Sequence, residues 1–348
     1  MQGQKTKVVR IGNVSIGGAN PVAVQSMLSC APEDVEGNLR QTAELEAAGC
    51  EIIRVTVPNM QGVRLLHTIK QSTKMPVVAD IHFDYRLGIE SAAAGADKIR
   101  INPGNIGAPD RVKKLVEACR TADIPIRVGV NSGSLPKDIL AQYGGVTPAG
   151  LAEAALRQAA MLEQFDFDNI VVAVKDSNVP QMVEACRIIN RQCRYPQHIG
   201  VTHAGTPRMG IVKSAVGIGA LLLQGIGDTL RVSLTADPVQ EIITARDILL
   251  ACGLQERAEV IACPTCGRCR IGVVELAEQV EKIVADCERP IKVAVMGCAV
   301  NGPGEAKQAD IGIAGGDGQC LLFKKGEIIK KYPQEEILEV LRSEIEKL

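Results

Sequence analysis

The fold this sequence predicts is α/β: a (β/α)8 TIM-type barrel over residues 1–253, then a small α+β domain over 254–348. Three observations predict it. Short β-rich runs alternate eight times with amphipathic helical stretches over about 250 residues, the span of a closed barrel. Aromatics are scarce, with no Trp, four Tyr and four Phe, so the core must come from Val, Ile, Leu and Ala. After Leu254 the regular alternation stops. A doubly wound open sheet is the alternative, but it seldom needs eight regular repeats.

The strands follow from the β-branched runs. They are VAVQSM (22–27), EIIRVTV (51–57), PVVADIH (76–82), KIRIN (98–102), IRVGVN (126–131), NIVVAVK (169–175), HIGVTHA (198–204) and TLRVSL (229–234). Stretches such as LRQTAELEAAG, RVKKLVEACRTA and PAGLAEAALRQAAMLEQ lie between them. Several begin after Asp, Asn or Pro and end in Gly, as helix caps do. Beyond 254 come a CPTCGRC run, the helix VVELAEQVEKIVADC and the strand-turn segment IKVAVMGCAVNGPGEA. The strand DIGIAG, the hairpin CLLFKKGEIIKKY and a C-terminal helix complete the module.

A net charge of -1 argues against a general nucleic-acid or membrane-surface binder. The opening MQGQKTKVVRIGNV lacks the apolar region of a secretory signal. The run of apolar and Gly residues at 215–223 is far short of the ~20 needed to span a bilayer. A cytoplasmic protein is expected, in which twelve cysteines are reduced thiols rather than a disulfide framework. Eight of them (Cys30, Cys50, Cys119, Cys186, Cys193, Cys252, Cys287 and Cys320) are scattered and read as small core residues.

The strands carry a second repetition. Arg54-Val-Thr56, Arg100-Ile-Asn102, Arg127-Val-Gly-Val-Asn131 and Arg231-Val-Ser233 each set an Arg two or four residues before a small polar side chain. Strand side chains alternate, so both members of each set face one way while Val and Ile face the helices. That turns the Arg side chains into the barrel, with Lys175 ending the sixth strand and Asp80 and His82 ending the third. An internal salt-bridge network would explain any one Arg. The set supplies five cations and one obvious acid, Asp80, and an uncompensated buried charge costs several kcal/mol. An arriving anion resolves the imbalance, and guanidinium forks match phosphate oxygens two at a time. The Gly-rich loops NPGNIG (102–107) and NSGSL (131–135) would add backbone N–H donors. A small, strongly anionic substrate, a diphosphate, is the expected ligand.

Cys263 and Cys266 at C-x2-C spacing can converge on one metal centre, and Cys298, after an apolar strand, is the natural third ligand. Structural zinc and an iron–sulfur cluster both suit such thiolates. Gly-rich turns that free N–H groups for sulfide, and the lack of a second paired C-x2-C or a His pair in the flanking sequence, favour the cluster. Spacing points to Cys269 as the fourth ligand; Glu305, ending GCAVNGPGE, is the other candidate.

Taken together, QSM, RVTVP, ADIHFD, KIRINPGNIG, RVGVNSGSL, AVKDSN, GIGDTLRVSL, CPTCGRC and GCAVNGPGEA span essentially the whole chain. With them the sequence resembles the bacterial 4-hydroxy-3-methylbut-2-enyl diphosphate synthases, the reductive iron–sulfur enzymes of the non-mevalonate isoprenoid pathway. The resemblance implies a [4Fe–4S] cluster on Cys263, Cys266, Cys298 and Glu305, with Cys269 not a ligand. A carboxylate is harder and more exchangeable than a thiolate, so one iron could trade Glu305 for a substrate oxygen. It implies 2-C-methyl-D-erythritol 2,4-cyclodiphosphate as substrate, opened by two electrons with loss of water. Arg54, His82, Arg100, Arg127, Asn131, Lys175, Arg231 and Ser233 match the family's substrate-binding positions, and Asn301 lies in the cluster loop near the substrate. Flavodoxin or ferredoxin would donate electrons. A head-to-tail homodimer would let one subunit's cluster cap the other's barrel.

One departure stands out. After the seventh strand the family usually reads TEAG, with an acid assigned to proton delivery; here it is Thr202-His203-Ala204-Gly205. An imidazolium at His203 could do the same work, or His203 could only orient substrate. The catalytic candidates are therefore Asp80, His203 and Asn301. Parts of the sequence also fit other functions. Lys175 ends a sixth barrel strand, where Schiff-base aldolases place their lysine. A pterin-binding methyltransferase-type barrel needs fewer phosphate clamps, and a cluster carrier or redox sensor would have no use for them.

Overall fold

The computed structural model describes residues 5–285, 287, 289–299, 304 and 306–348. It divides into two compact units, Met1–Leu254 and Gln255–Leu348, described separately below. Among the described residues no helix is long and apolar enough to cross a membrane.

In the first unit, among the described residues, eight parallel strands form one sheet: Ala23–Met27, Ile52–Thr56, Val77–Asp80, Lys98–Ile101, Ile126–Asn131, Ile170–Lys175, His198–Ile199 and Thr229–Leu230. Adjacent strands pair in chain order, and the eighth returns to the first through Thr229–Ala23 and Leu230–Val24. A parallel bridge between Val172 and Gln197 joins the sixth strand to the approach of the seventh and closes the barrel. All eight predicted strands are present. The seventh and eighth are much shorter than the runs at 198–204 and 229–234. The two chains lie close together there: a Cβ at Gly200 would stand 2.3 Å from the Arg231 carbonyl oxygen, and Arg231 N donates to Ile199 O at 3.0 Å.

Alternation along the strands sorts the side chains as their sequence demands. Ile53, Val55, Val77, Ala79, Ile99, Ile101, Val128 and Val130 are buried in the large core shared with helix residues such as Leu66, Ile69 and Leu115. The opposite parity faces inward. Register pairs Arg54 with Val78, and Asp80 with Arg100, which in turn pairs with Arg127. A hairpin not foreseen from sequence, Val9–Ile11 with Val14–Ile16, packs Val9, Ile11 and Ile16 on Ala23, Ile52, Val78 and Val171 near the strand starts. It stoppers the N-terminal end with apolar surface, each buried Ile contributing about 2 kcal/mol.

The two Gly-rich segments differ from expectation. Residues Pro103–Ile106 form a short helix, and Ser132–Ser134 a 3-10 turn. Asn102 Oδ1 caps the former, accepting from Gly104 N at 3.1 Å and from Gln158 Nε2 at 2.8 Å. The Gly104 N–H is therefore engaged in a cap, not offered to a ligand.

The second unit is a five-stranded sheet among the described residues, ordered Glu259–Ala262, Lys292–Met296, Ile311–Gly315, Gln319–Lys324 and Glu327–Pro333. The first three are parallel and the last two antiparallel. Lys325 and Gly326, with φ of 49° and 83°, make the two-residue turn between the last pair. Helices Val273–Ala285 and Ile337–Glu346 bury Leu276, Val280, Leu341 and Ile345 against the sheet residues Val293, Val295 and Ile313.

Candidate functional site

Strand ends position the first site. Arg54, Asp80, His82, Arg100, Arg127, Asn131, Lys175, Arg231 and Ser233 line one cavity of about 240 Å³, together with Met27, Gly129, Ala173 and Thr202. The cavity lies at the C-terminal ends of the strands, where β/α barrels carry their chemistry.

Asp80 organises the cations. Its Oδ1 accepts from Arg100 Nη1 at 2.9 Å, and its Oδ2 lies 3.7 Å from Arg54 Nε and 3.9 Å from His82 Nε2. Burial alone would raise its pKa, but Arg54, Arg100, Arg127 and His82 together hold it down at about 2. Arg54 donates from Nε and Nη2 to Met27 Sδ at 3.2 and 2.7 Å, and Arg231 Nη1 lies 3.4 Å from the same sulfur. A thioether is a weak acceptor, so the Arg54 fork and the Arg231 Nη1 group are poorly satisfied by it. Burial draws the Arg54 pKa down to about 10 against the opposing pull of Asp80.

Arg231 has a partner that the sequence did not disclose. Its Nε and Nη2 lie 3.2 and 3.4 Å from Glu241, a buried carboxylate in the first turn of the helix Pro238–Ala251. Glu241 also accepts from Leu234 N at 2.9 Å. The cavity thus holds Arg54, Arg100, Arg127, Lys175 and Arg231 against Asp80 and Glu241, rather than against Asp80 alone. Arg127 is the least satisfied of them. It is 2% exposed, and its Nε and Nη1 have no hydrogen-bond partner. Burial, with Arg54 and Arg100 beside it, pushes its pKa well below the usual arginine range. Burial also lowers Lys175 well below a normal lysine, helped by Arg231, Arg54 and Arg127.

His203 is not brought into the cavity. Thr202 lines it, while His203 is exposed with φ of 50° and its Nδ1 3.5 Å from Thr202 Oγ1. Asn301 and Glu305 lie outside the described residues.

The thiols of the second unit surround Gly297. Cys263, just past the strand Glu259–Ala262, donates its N–H to Val295 O at 3.2 Å, and its Sγ accepts from Gly297 N at 3.1 Å. A Cβ at Gly297 would meet Cys269 Sγ at 2.5 Å and Cys263 Sγ at 3.5 Å. Cys269 N donates to Cys266 O at 3.0 Å, closing the CPTCGRC turn. The backbone and side chain of Arg268 hold the exposed Cys266 thiol below its usual range. Cys298 follows Gly297 and is half-buried. Among the described residues no three His, Cys, Asp or Glu side chains stand close enough to hold a metal ion.

Two family models match the chain: the GcpE TIM-barrel domain over residues 6–246 and the GcpE protein C-terminal domain over residues 259–347. The chain belongs to the GcpE family. Relatives named 4-hydroxy-3-methylbut-2-en-1-yl diphosphate synthase (flavodoxin) include one from Caldanaerobacter subterraneus subsp. tengcongensis, 54% identical over 99% of this chain and 97% of that protein. Another, from Clostridium perfringens, is 50% identical over 99% of each. Among solved structures, 3-dehydroquinate dehydratase from Geobacillus kaustophilus matches with a TM-score of 0.53 and 16% identity over 72% of this chain and 99% of that one. Xanthomonas albilineans dihydropteroate synthase matches with a TM-score of 0.51 and 12% identity, over 70% and 97%. At such identities these two show the barrel fold alone.

The donor chemistry of this GcpE chain suits an iron–sulfur group. Cys263, Cys266 and Cys298 are soft thiolate donors, the Gly297 N–H already donates to a sulfur, and the missing Cβ of Gly297 leaves the space that two sulfurs fill. Two contributors to the barrel site escaped the sequence reading. Met27 shares the inward parity of Gln25 in VAVQSM, so alternation could have found it. Glu241 could not be found that way, because an acid in the first turn of a helix ordinarily serves only the helix dipole.

Proposed function

We propose that the chain opens 2-C-methyl-D-erythritol 2,4-cyclodiphosphate reductively to (E)-4-hydroxy-3-methylbut-2-enyl diphosphate, with loss of water and two electrons from flavodoxin. The name carried by its GcpE relatives supports the reaction. The observation that carries the site assignment is Arg127, buried to 2% exposure with two N–H groups unpartnered. Such a group is tolerable only where an anion completes its hydrogen bonds. A diphosphate does so, its oxygens meeting guanidinium forks two at a time.

Each lining residue then has a role. Arg54 and Arg231 exchange the weak Met27 sulfur for phosphate oxygens, and Arg100 and Lys175 complete the clamp. Asn131 and Ser233 orient the substrate by hydrogen bonds, with His82 beside Asp80. Asp80, held at about 2, is too weak a base to move a proton near neutrality, and it serves by aligning the Arg54 and Arg100 forks. His203 is exposed beside Thr202, which lines the cavity, and stands as the candidate proton donor; a turnover profile for His203→Gln that matches wild type at every pH would remove it from that role. Asn301 is assigned to the substrate side of the cluster loop.

A [4Fe–4S] cluster on Cys263, Cys266, Cys298 and Glu305 supplies the electrons when bound. The chain's own contribution there is the Gly297 N–H, which stabilises thiolate charge at Cys263. A head-to-tail homodimer brings one subunit's thiol loop to the partner's barrel. The cytoplasm, where twelve free thiols stay reduced, is the compartment that suits it.

Anaerobic reconstitution tests the reading. The expected product is a brown protein with about four iron and four sulfide per chain, turning over the cyclodiphosphate with reduced flavodoxin. A mononuclear zinc protein coordinated by Cys269, without turnover, would overturn it.

A further inference from the structure

Beneath the cavity lies a second polar layer that the reaction as described does not use. Lys98 opens the fourth strand two residues before Arg100, so its side chain enters the barrel one layer deeper. It is fully buried, and its amine makes one hydrogen bond, to Gln25 Oε1 at 3.4 Å. The groups facing it leave it alone with positive charge. Arg127 comes from the fifth strand, Arg54 from the second and His198 from the seventh, while the adjacent third strand offers Val78. Asp80 is engaged with Arg100 and Arg54. His198 Nδ1 lies 2.8 Å from Thr229 Oγ1, and its Nε2 has no partner, nor does Gln25 Nε2. Below are the apolar side chains of Ile52, Val78 and Val171, sealed by the N-terminal hairpin.

An ammonium carries three donors and needs acceptors for them. One amide oxygen at 3.4 Å and several cationic neighbours do not supply that need. We propose that Lys98 is an uncharged amine in the empty barrel and takes up a proton when a diphosphate settles against Arg127 above it. The inference rests on the reading of the cavity as a diphosphate site. Burial, then Arg127 and Arg54, push the Lys98 pKa well down, and burial, with Arg127, Lys175 and the other cations nearby, holds His198 well below the usual imidazole range. A bound anion cancels the field of Arg127 and Arg54, so the lysine recovers basicity as the ligand arrives. Lys175, within reach of the ligand, responds in the same direction. Lys98 is thus a positioning residue: neutral, it lets the arginines above it stand close together; charged, it adds a further cation under the bound diphosphate. Binding coupled to proton uptake tightens as pH falls.

The test is calorimetry of the cyclodiphosphate on the anaerobic holoenzyme without reductant, at one pH in two buffers of different ionisation enthalpy. The diphosphate of a cyclic diester has only strongly acidic protons, so it contributes none near neutrality. Wild type is expected to take up protons on binding. Lys98→Met, which keeps the length of the side chain, and Lys98→Arg, permanently charged, should each lower that uptake by up to about one proton. Wild-type uptake in either variant that folds and binds would overturn the proposal while leaving the cavity's assignment intact. No binding by wild type would remove that assignment and the proposal with it.

Discussion

Asp80 shows what a single residue does here. It is the acid to which Arg54, Arg100 and His82 converge, and it is ionised because their charges outweigh its burial. Removing one partner of a buried ion pair typically costs about 3 kcal/mol. Asp80→Asn should therefore lower the unfolding free energy, measured by urea denaturation, by that much in the empty protein, and by less with cyclodiphosphate present to occupy the forks. With a folded pKa of about 2 against the ordinary 3.8, its charge contributes stability above pH 3.8. That contribution fades as pH falls from there through about 2, so the acid limb of the stability curve should be shallower in the Asn variant. The inward arginines were legible because strand alternation fixes their direction without any tertiary knowledge. Glu241 and Lys98 were not. One looks like a helix-dipole residue, and the other, in a KIRIN strand, looks like a solvated end until the apolar stopper beneath it is seen.

Elements were legible in proportion to their length. The long helices and the first six strands announce themselves by periodicity, whereas the three-residue strands of the N-terminal hairpin carry too few residues to show any. The seventh and eighth strands were overread, because the β-like pattern continues for several residues past their two-residue pairings. Gly200→Ala should drive a methyl into the Arg231 carbonyl, 2.3 Å away, and towards Lys175 Nζ at 3.1 Å. A loss of about 3 kcal/mol and weaker diphosphate binding are expected, measured by chemical unfolding and calorimetry. In the second unit the corresponding element is the turn at Gly297. Gly297→Ala places a Cβ 2.5 Å from Cys269 Sγ, so anaerobically reconstituted variant should hold less iron and sulfide than wild type. Equal metal content would argue that the turn has no part in seating the group.

At the scale of the molecule, each of the two compact units has a large apolar core of its own among the described residues. Asn301 and Glu305 lie outside the described residues. The barrel rests on its own physics: its empty state holds more positive charge than Asp80 and Glu241 neutralise. Unfolding of Arg127→Met beside wild type, each with and without cyclodiphosphate, tests that claim most directly. The variant should be more stable than wild type when empty, by about 1–3 kcal/mol, and should gain nothing from the ligand that stabilises wild type. A variant that is less stable when empty, and still stabilised by the ligand, would contradict it.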